Sequence, residues 1–317
     1  MKDSQKKKNK NKNASAFKKL IYLLLVVFSL LTLLVYFDVE IKRGSLYFKT
    51  QDLKSNFKPA SYPILREVSS PDLSALAAII IEDDSKKIIY SKNSSLRLLP
   101  ASTTKVMTAL TALEFYKTEN ILTVNAPFYE GSVLGLKVGE KIKFESLLYA
   151  LLLPSANDAA EVIAQHYPGG REQFINKMNE NAAKLHMRNT FFSDPSGISD
   201  KNYTTAYDLS LLSSIAFKNK LIKRIVGTQE KIVTDENGKQ YELSNLNKLL
   251  GSNGVEGIKT GFTEEAGQVL ITAQIKNILG QEKTFIIVVM RSDDRFGDTE
   301  KLLNYLKDNI DLLIIHP

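Results

Sequence analysis

Ala75-Leu76-Ala77-Ala78-Ile79-Ile80-Ile81 is an apolar run that resumes at Ile88-Ile89-Tyr90 after the polar Asp83-Asp84-Ser85, and this pattern predicts a β-hairpin. Comparable strand-like runs return only near the other end of the chain, at Gly257 to Phe262, Gln268 to Ile275 and Thr284 to Met290. Between them the apolar spacing is helical, over Thr103 to Tyr116, Phe144 to Leu153, Asn157 to His166, Arg171 to Leu185 and Thr205 to Phe217. A second hairpin is signalled by Lys231 to Thr234 and Gln240 to Leu243 around Asn237-Gly238, and Thr299 to Lys307 reads as a closing helix. An early hairpin, a helical centre and late strands imply an α+β fold in which distant parts of the chain share one sheet. There is no internal repeat.

With 317 residues, 44% hydrophobic and 24% charged, the chain has material for one sizeable core and an extra segment. The net charge of +7 is carried entirely by residues 1–19, where eight Lys face one Asp; the other 34 Lys and Arg are matched by 34 Asp and Glu. A neutral remainder gives no reason to expect a nucleic-acid partner. Leu20 to Phe37 follows the lysines as 18 residues without a charge, Gly or Pro. As a helix it spans ~27 Å, against ~30 Å for a hydrocarbon core. A cleaved signal has a shorter apolar stretch and small residues at its end, so the run reads as an uncleaved anchor with the lysines cytoplasmic and residue 38 onward outside. The expected organisation is a basic tail over 1–19, a transmembrane anchor over 20–37, a stalk over 38–72 that carries Pro59, Pro63 and Pro71, a catalytic domain over 73–310 and a short tail over 311–317. No cysteine is present, and His166, His186 and His316 lack helical metal spacing, so neither thiolate nor metal chemistry is expected, and no cofactor.

Three short motifs carry chemistry. Ser102 stands where the chain enters a helix after Pro100-Ala101, and Lys105 follows one turn later on the same face, so an amine can reach the hydroxyl. The spacing alone is weak: Ser-x-x-Lys recurs at Ser4, Ser15 and Ser55, in the tail and stalk, where a solvated lysine beside a capping serine is the plainer reading. Ser155-Ala156-Asn157 sits in a turn between two apolar helices, a place from which polar side chains protrude into a cleft. Lys259-Thr260-Gly261 lies on a strand and offers a cation and a hydroxyl to an anion. Their joint occurrence, in this order and each at an element boundary, is what separates them from caps and edge strands.

Around these motifs, over roughly 73–310, the chain resembles the low-molecular-weight penicillin-binding D-alanyl-D-alanine carboxypeptidases. Pro100-Ala101-Ser102-Thr103-Thr104-Lys105 is similar to their nucleophile segment, Leu152 to Ala160 to their second motif, and Gly257 to Thr263 with Ala266-Gly267 to their third. Tyr207-Asp208-Leu209 and Asn245 to Leu250 resemble further family segments. The resemblance implies a β-lactamase/DD-peptidase-like fold, with an antiparallel sheet flanked by helices plus a mostly helical subdomain. It implies cleavage of the terminal D-alanine from a peptidoglycan stem peptide through an acyl-enzyme on Ser102, and covalent binding of β-lactam antibiotics. Lys105 is then the base, neutral through burial and the nearby positive Lys259, while Ser155 relays the proton to the leaving amine and Asn157 orients the substrate amide. The N–H groups of Ser102 and Phe262 form the oxyanion hole. Lys259, Thr260, Gly261 and Thr263 line the substrate strand, and Arg295, placed in the loop after the Thr284 to Met290 strand, adds a cation for the free carboxylate; Arg291 is the alternative.

A class A β-lactamase shares the acylating groups but needs an acid for deacylation. Here Ala156 stands where that pattern has Asp, and Ser193-Asp194-Pro195-Ser196-Gly197 holds no glutamate. A catalytically silent wall-binding module is a third reading, disfavoured by three intact motifs.

Overall fold

The computed structural model describes residues 23–40, 60–66, 69–307 and 309–315. The basic tail, most of the stalk and the first residues of the apolar run lie outside them. Helix α1, Leu23–Glu40, has a mean hydropathy of 2.2 and is exposed along its whole length. It is long and apolar enough to cross a membrane, as the sequence led us to expect, and it belongs to a unit separate from Ser61–Ile314.

The second unit is organised on a five-stranded sheet in the order β3-β2-β10-β9-β8, antiparallel at every pairing. β2 (Ala77–Glu82) and β3 (Ile88–Lys92) are the expected early hairpin; β8 (Val255–Thr263), β9 (Gly267–Ile278) and β10 (Gln281–Ser292) are the late strands. β10 pairs with β2 from Phe285↔Glu82 to Met290↔Ala77, which closes the sheet across the helical insertion. Alternate side chains serve two cores, as the two-residue period of a strand demands. Ala77, Ile79, Ile81, Ile286, Val288 and Met290 face the helical side, whereas Ala78, Ile80, Phe285, Ile287 and Val289 pack with Leu302, Leu303 and Leu306 of α8 (Arg295–Lys307). With both faces covered, the strands read as unbroken apolar runs rather than alternating ones.

The helical side comprises α2 (Lys105–Leu113), α3 (Phe144–Leu152), α4 (Asn157–Gln165), α5 (Gly170–Lys184), α6 (Ala206–Lys218) and α7 (Lys220–Val226). α7 is not foreseen by the sequence reading. Asn219 ends α6 and caps α7, its Oδ1 accepting from the N–H groups of Leu221 and Ile222, so a helix restarts without any intervening loop. β6 (Glu230–Thr234) and β7 (Gln240–Ser244) form the second hairpin. At its tip Gly238 takes φ +86° while the Asp235 carboxylate accepts from the N–H groups of Asn237 and Lys239. β4 (Ile121–Thr123) and β5 (Lys141–Lys143) are three-residue strands bracketing a long loop.

Two segments differ from the expected stalk and tail. β1 (Ala60–Leu65) pairs with β11 (Ile310–Ile315), and Arg66 donates to Asp311 at 2.8 Å beside this ribbon. A strand pairing across 245 residues has no local signature, so short runs at each end read as linker.

Candidate active site

The first motif begins with a strained turn. Pro100 opens a 3₁₀ turn, Ala101–Thr104, that runs directly into α2, and Thr103 Oγ1 donates back to Pro100 O at 2.6 Å. Ala101 has φ +48°, a left-handed conformation that costs a non-glycine residue about 1–2 kcal/mol. Three segments meet at this residue. Gly261 of β8 is one: a side chain there would come within 3.2 Å of Ala101 Cβ and of Ser102 N. Gly197 is another, with φ +87° and so near that a Cβ would sit 1.9 Å from Ala101 O. Gly261 is needed for this close approach of backbones, and Gly197 both for the approach and for its left-handed φ. The strand edge at Gly261 is approached first by the protein's own turn that carries Ser102.

Ser102 is half-buried and Lys105 wholly so. Lys105 Nζ lies 2.9 Å from Ser102 Oγ, 2.6 Å from Asn157 Oδ1 and 2.7 Å from Ser196 O. Burial brings its pKa down to about 7, although Asp194, Asp158 and Glu161 pull it upward. The sequence reading attributed part of that fall to Lys259. The Lys259 amine is itself pushed well down, by burial first and then by Lys105 and Arg295, and repulsion between two buried amines acts on both.

Ser155 and Asn157 come from the turn between α3 and α4. Ser155 has φ +68°, and its buried Oγ has no hydrogen-bond partner in the protein. A buried hydroxyl without a partner costs about 1–3 kcal/mol, so both features mark a residue held for something other than stability. Asn157 has both ends of its amide engaged: Oδ1 accepts from Lys105, and Nδ2 donates to Glu130 O at 2.8 Å. It therefore has an internal role, tying Lys105 to the loop between β4 and β5. The same loop is gripped by Asp158, whose carboxylate accepts from the N–H groups of Leu134, Gly135 and Leu136.

β8 supplies the third side of the cleft. Lys259 and Thr260 are buried, Phe262 is 52% exposed, and Thr263 Oγ1 accepts from Ala266 N to close the turn into β9. Lys259 Nζ donates to Thr260 O at 3.1 Å. Arg295 is the first residue of α8 and not a loop residue. Asp294 caps the helix by accepting from Gly297 N at 3.0 Å, which starts it four residues earlier than the periodicity indicated. From there Arg295 Nη1 donates to Gly261 O at 2.8 Å, while its Nε is buried without a partner. Arg291 is exposed. Thus Arg295, rather than Arg291, is the cation joined to the Lys259-Thr260-Gly261 strand.

The sequence reading missed the segment Asp194 to Ser199, noting there only the absence of a glutamate. Asp194 is buried, and its carboxylate accepts from Ser196 N, Ser196 Oγ, Gly197 N, Ser199 N and Asn202 Nδ2 at 2.6–2.9 Å. Burial alone would raise its pKa, but these bonds outweigh it and hold the carboxyl below its usual range. The Asp-Pro-Ser-Gly string is a turn signal that was available, but nothing in it says what the turn touches. The other resembling segments have local work: Asp208 accepts from Asn189 N and Thr190 Oγ1, and Asn245 Nδ2 donates to Val226 O and Thr228 O.

An antiparallel sheet with helices on both faces, and a Ser-Lys pair where helix and strand edge meet, is the architecture of the DD-peptidases. This chain belongs to the D-alanyl-D-alanine carboxypeptidase family, whose pattern matches residues 65–294. It is 33% identical over 242 residues to the D-alanyl-D-alanine carboxypeptidase DacF of Bacillus subtilis, covering 73% of this chain and 61% of that relative. It is 32% identical to a D-alanyl-D-alanine endopeptidase of Escherichia coli, covering 75% of this chain and 79% of the relative. Among solved structures, the Streptomyces K15 DD-transpeptidase superposes with a TM-score of 0.68 at 31% identity, over 75% of this chain and 98% of that one.

Proposed function

We propose that this protein is a serine D-alanyl-D-alanine carboxypeptidase that removes the terminal D-alanine from peptidoglycan stem pentapeptides. The observation that carries the reading is the 2.9 Å approach of Lys105 Nζ to Ser102 Oγ, made by an amine whose pKa has come down to about 7. A lysine neutral near physiological pH accepts the hydroxyl proton as Ser102 Oγ attacks the penultimate D-alanine carbonyl. The N–H groups of Ser102 and Phe262 receive the developing oxyanion. Ser155, whose hydroxyl is free of other bonds, passes the proton to the leaving amine, and D-alanine departs. Water then attacks the acyl-enzyme and restores the serine. The free carboxylate of the substrate is held by the cations Lys259 and Arg295 with the Thr260 hydroxyl, gathered at one strand edge. A β-lactam offers the same carboxylate beside a reactive carbonyl and acylates the same oxygen.

We further infer that residues 20–37 anchor the enzyme in the membrane with the lysine-rich tail in the cytoplasm and the catalytic unit outside. What supports this is the apolar, fully exposed α1 following eight lysines. The test is covalent labelling of the detergent-solubilised chain by fluorescent penicillin. Wild type is expected to take the label and Ser102→Ala to take none; label persisting in the variant would place the nucleophile elsewhere. Release of free D-alanine from a pentapeptide, set against cleavage of cross-linked dimers, separates carboxypeptidase from endopeptidase.

A further inference from the structure

Lys105 Nζ has three close partners, and a neutral amine has only two hydrogens. Asn157 Oδ1 at 2.6 Å and Ser196 O at 2.7 Å are acceptors only, so they take both N–H bonds. The lone pair is left facing the third partner, Ser102 Oγ at 2.9 Å, the one group able to donate. Orientation of the base therefore depends on where a backbone carbonyl stands. That carbonyl belongs to a loop wound about one buried anion. Asp194 accepts from Ser196 N and Ser196 Oγ at 2.7 Å, Gly197 N at 2.6 Å, Ile198 N at 3.4 Å, Ser199 N at 2.9 Å and Asn202 Nδ2 at 2.6 Å. Thr108 of α2 fastens the same loop by donating to Pro195 O at 2.5 Å, and Gly197 seats it on Ala101.

We propose that Asp194 is a positioning residue for acylation: by organising residues 194–199 it aims the Ser196 carbonyl at Lys105 and so points the lone pair of the base at Ser102. The inference rests on Lys105 acting as the base. When the proton moves, the ammonium has three hydrogens and three acceptors already in place, so the group changes charge without reorganising its neighbours. Asp194 is also the largest of the influences holding the Lys105 pKa up. The other charges bearing on Lys105 are Asp158 and Glu161 of α4, the latter paired with Arg171 of α5, and Lys259 of β8, which has Arg295 beside it.

The experiment is the rate of penicillin acylation of the full-length chain in detergent as a function of pH, for wild type, Asp194→Asn and Asn202→Ala. The asparagine keeps the size of Asp194 but removes its charge and turns an NH₂ toward groups that are themselves donors. A folded Asp194→Asn protein is expected to acylate at least about tenfold more slowly at its alkaline plateau, with the midpoint at or below the wild-type value of about 7. A plateau within about threefold of wild type overturns the proposal. So does a midpoint that climbs toward an ordinary lysine, because the loop would then merely seal Lys105 from water. If Asp194→Asn shows no cooperative melting transition, Asn202→Ala decides. It keeps the charge and removes one bond to it, and a plateau about threefold lower supports positioning, whereas an unchanged plateau overturns it. A wild-type chain that takes no penicillin at all removes the parent reading, a failure visible before any variant is compared.

Discussion

Lys105 and Lys259 are both buried in one cleft, yet Lys105 Nζ has three hydrogen-bond partners from three parts of the chain, while the hydrogen bond found for Lys259 Nζ is to the carbonyl of its own neighbour, Thr260. Burial lowers both pKa values. Their surroundings differ in sign: Asp194, Asp158 and Glu161 support a charge on Lys105, whereas Lys105 and Arg295 oppose one on Lys259. The first amine is complete without substrate. The second lacks an anion, and a buried cation without a partner is costly until one arrives. In the proposed mechanism the first moves a proton and the second receives a carboxylate.

The comparison breaks most visibly at Lys105. Lys105→Met removes the base while keeping most of the volume, and penicillin acylation is expected to fall about 10³-fold. A variant that still acylates at more than a tenth of the wild-type rate would mean that another group takes the Ser102 proton.

Lys259→Ala should act on binding instead. Losing a hydrogen bond to a charged group is worth about 1.5–3 kcal/mol, so kcat/KM for a peptide with a free carboxylate should fall about 10- to 100-fold, mostly through KM. The same peptide as its amide should lose little. Binding of the free acid should take up a proton in wild type, because the carboxylate restores the charge that burial and two cations suppress, and calorimetry in buffers of different ionisation enthalpy reads this directly. Binding to wild type with no uptake would show that Lys259 is already charged in the empty site.

The smallest effect concerns pH. Lys105 is protonated below about 7 and neutral above it, so acylation should rise with pH through that value and level off beyond it. With Lys259 neutral in the empty site, as burial and the neighbouring cations favour, Lys259→Ala should leave the midpoint near 7 even as it weakens binding. A midpoint that climbs in that variant would show a charged Lys259 holding Lys105 down, as the sequence alone suggested.

Ser-x-x-Lys occurs four times in this chain, and the match at Ser102 stood out through its position at a helix entrance and the two motifs that follow it. The strands β2, β9 and β10 were legible because both faces are buried, which leaves apolar runs in the sequence. The ribbon of β1 and β11 was not, because its pairing joins segments about 245 residues apart and leaves no local signature. Arg295 was named as a site residue but put in a loop; the Asp294 cap that draws it into α8 is a contact of one side chain with one N–H. What the sequence determined by itself is the order of elements and which residue types stand at their boundaries, since periodicity and turn chemistry are local properties. Which carbonyl faces Lys105, which hydroxyl is left without a bond and which lysine lacks an anion were decided only when segments some 50 to 160 residues apart came within hydrogen-bonding range, because such partners leave no trace in local spacing.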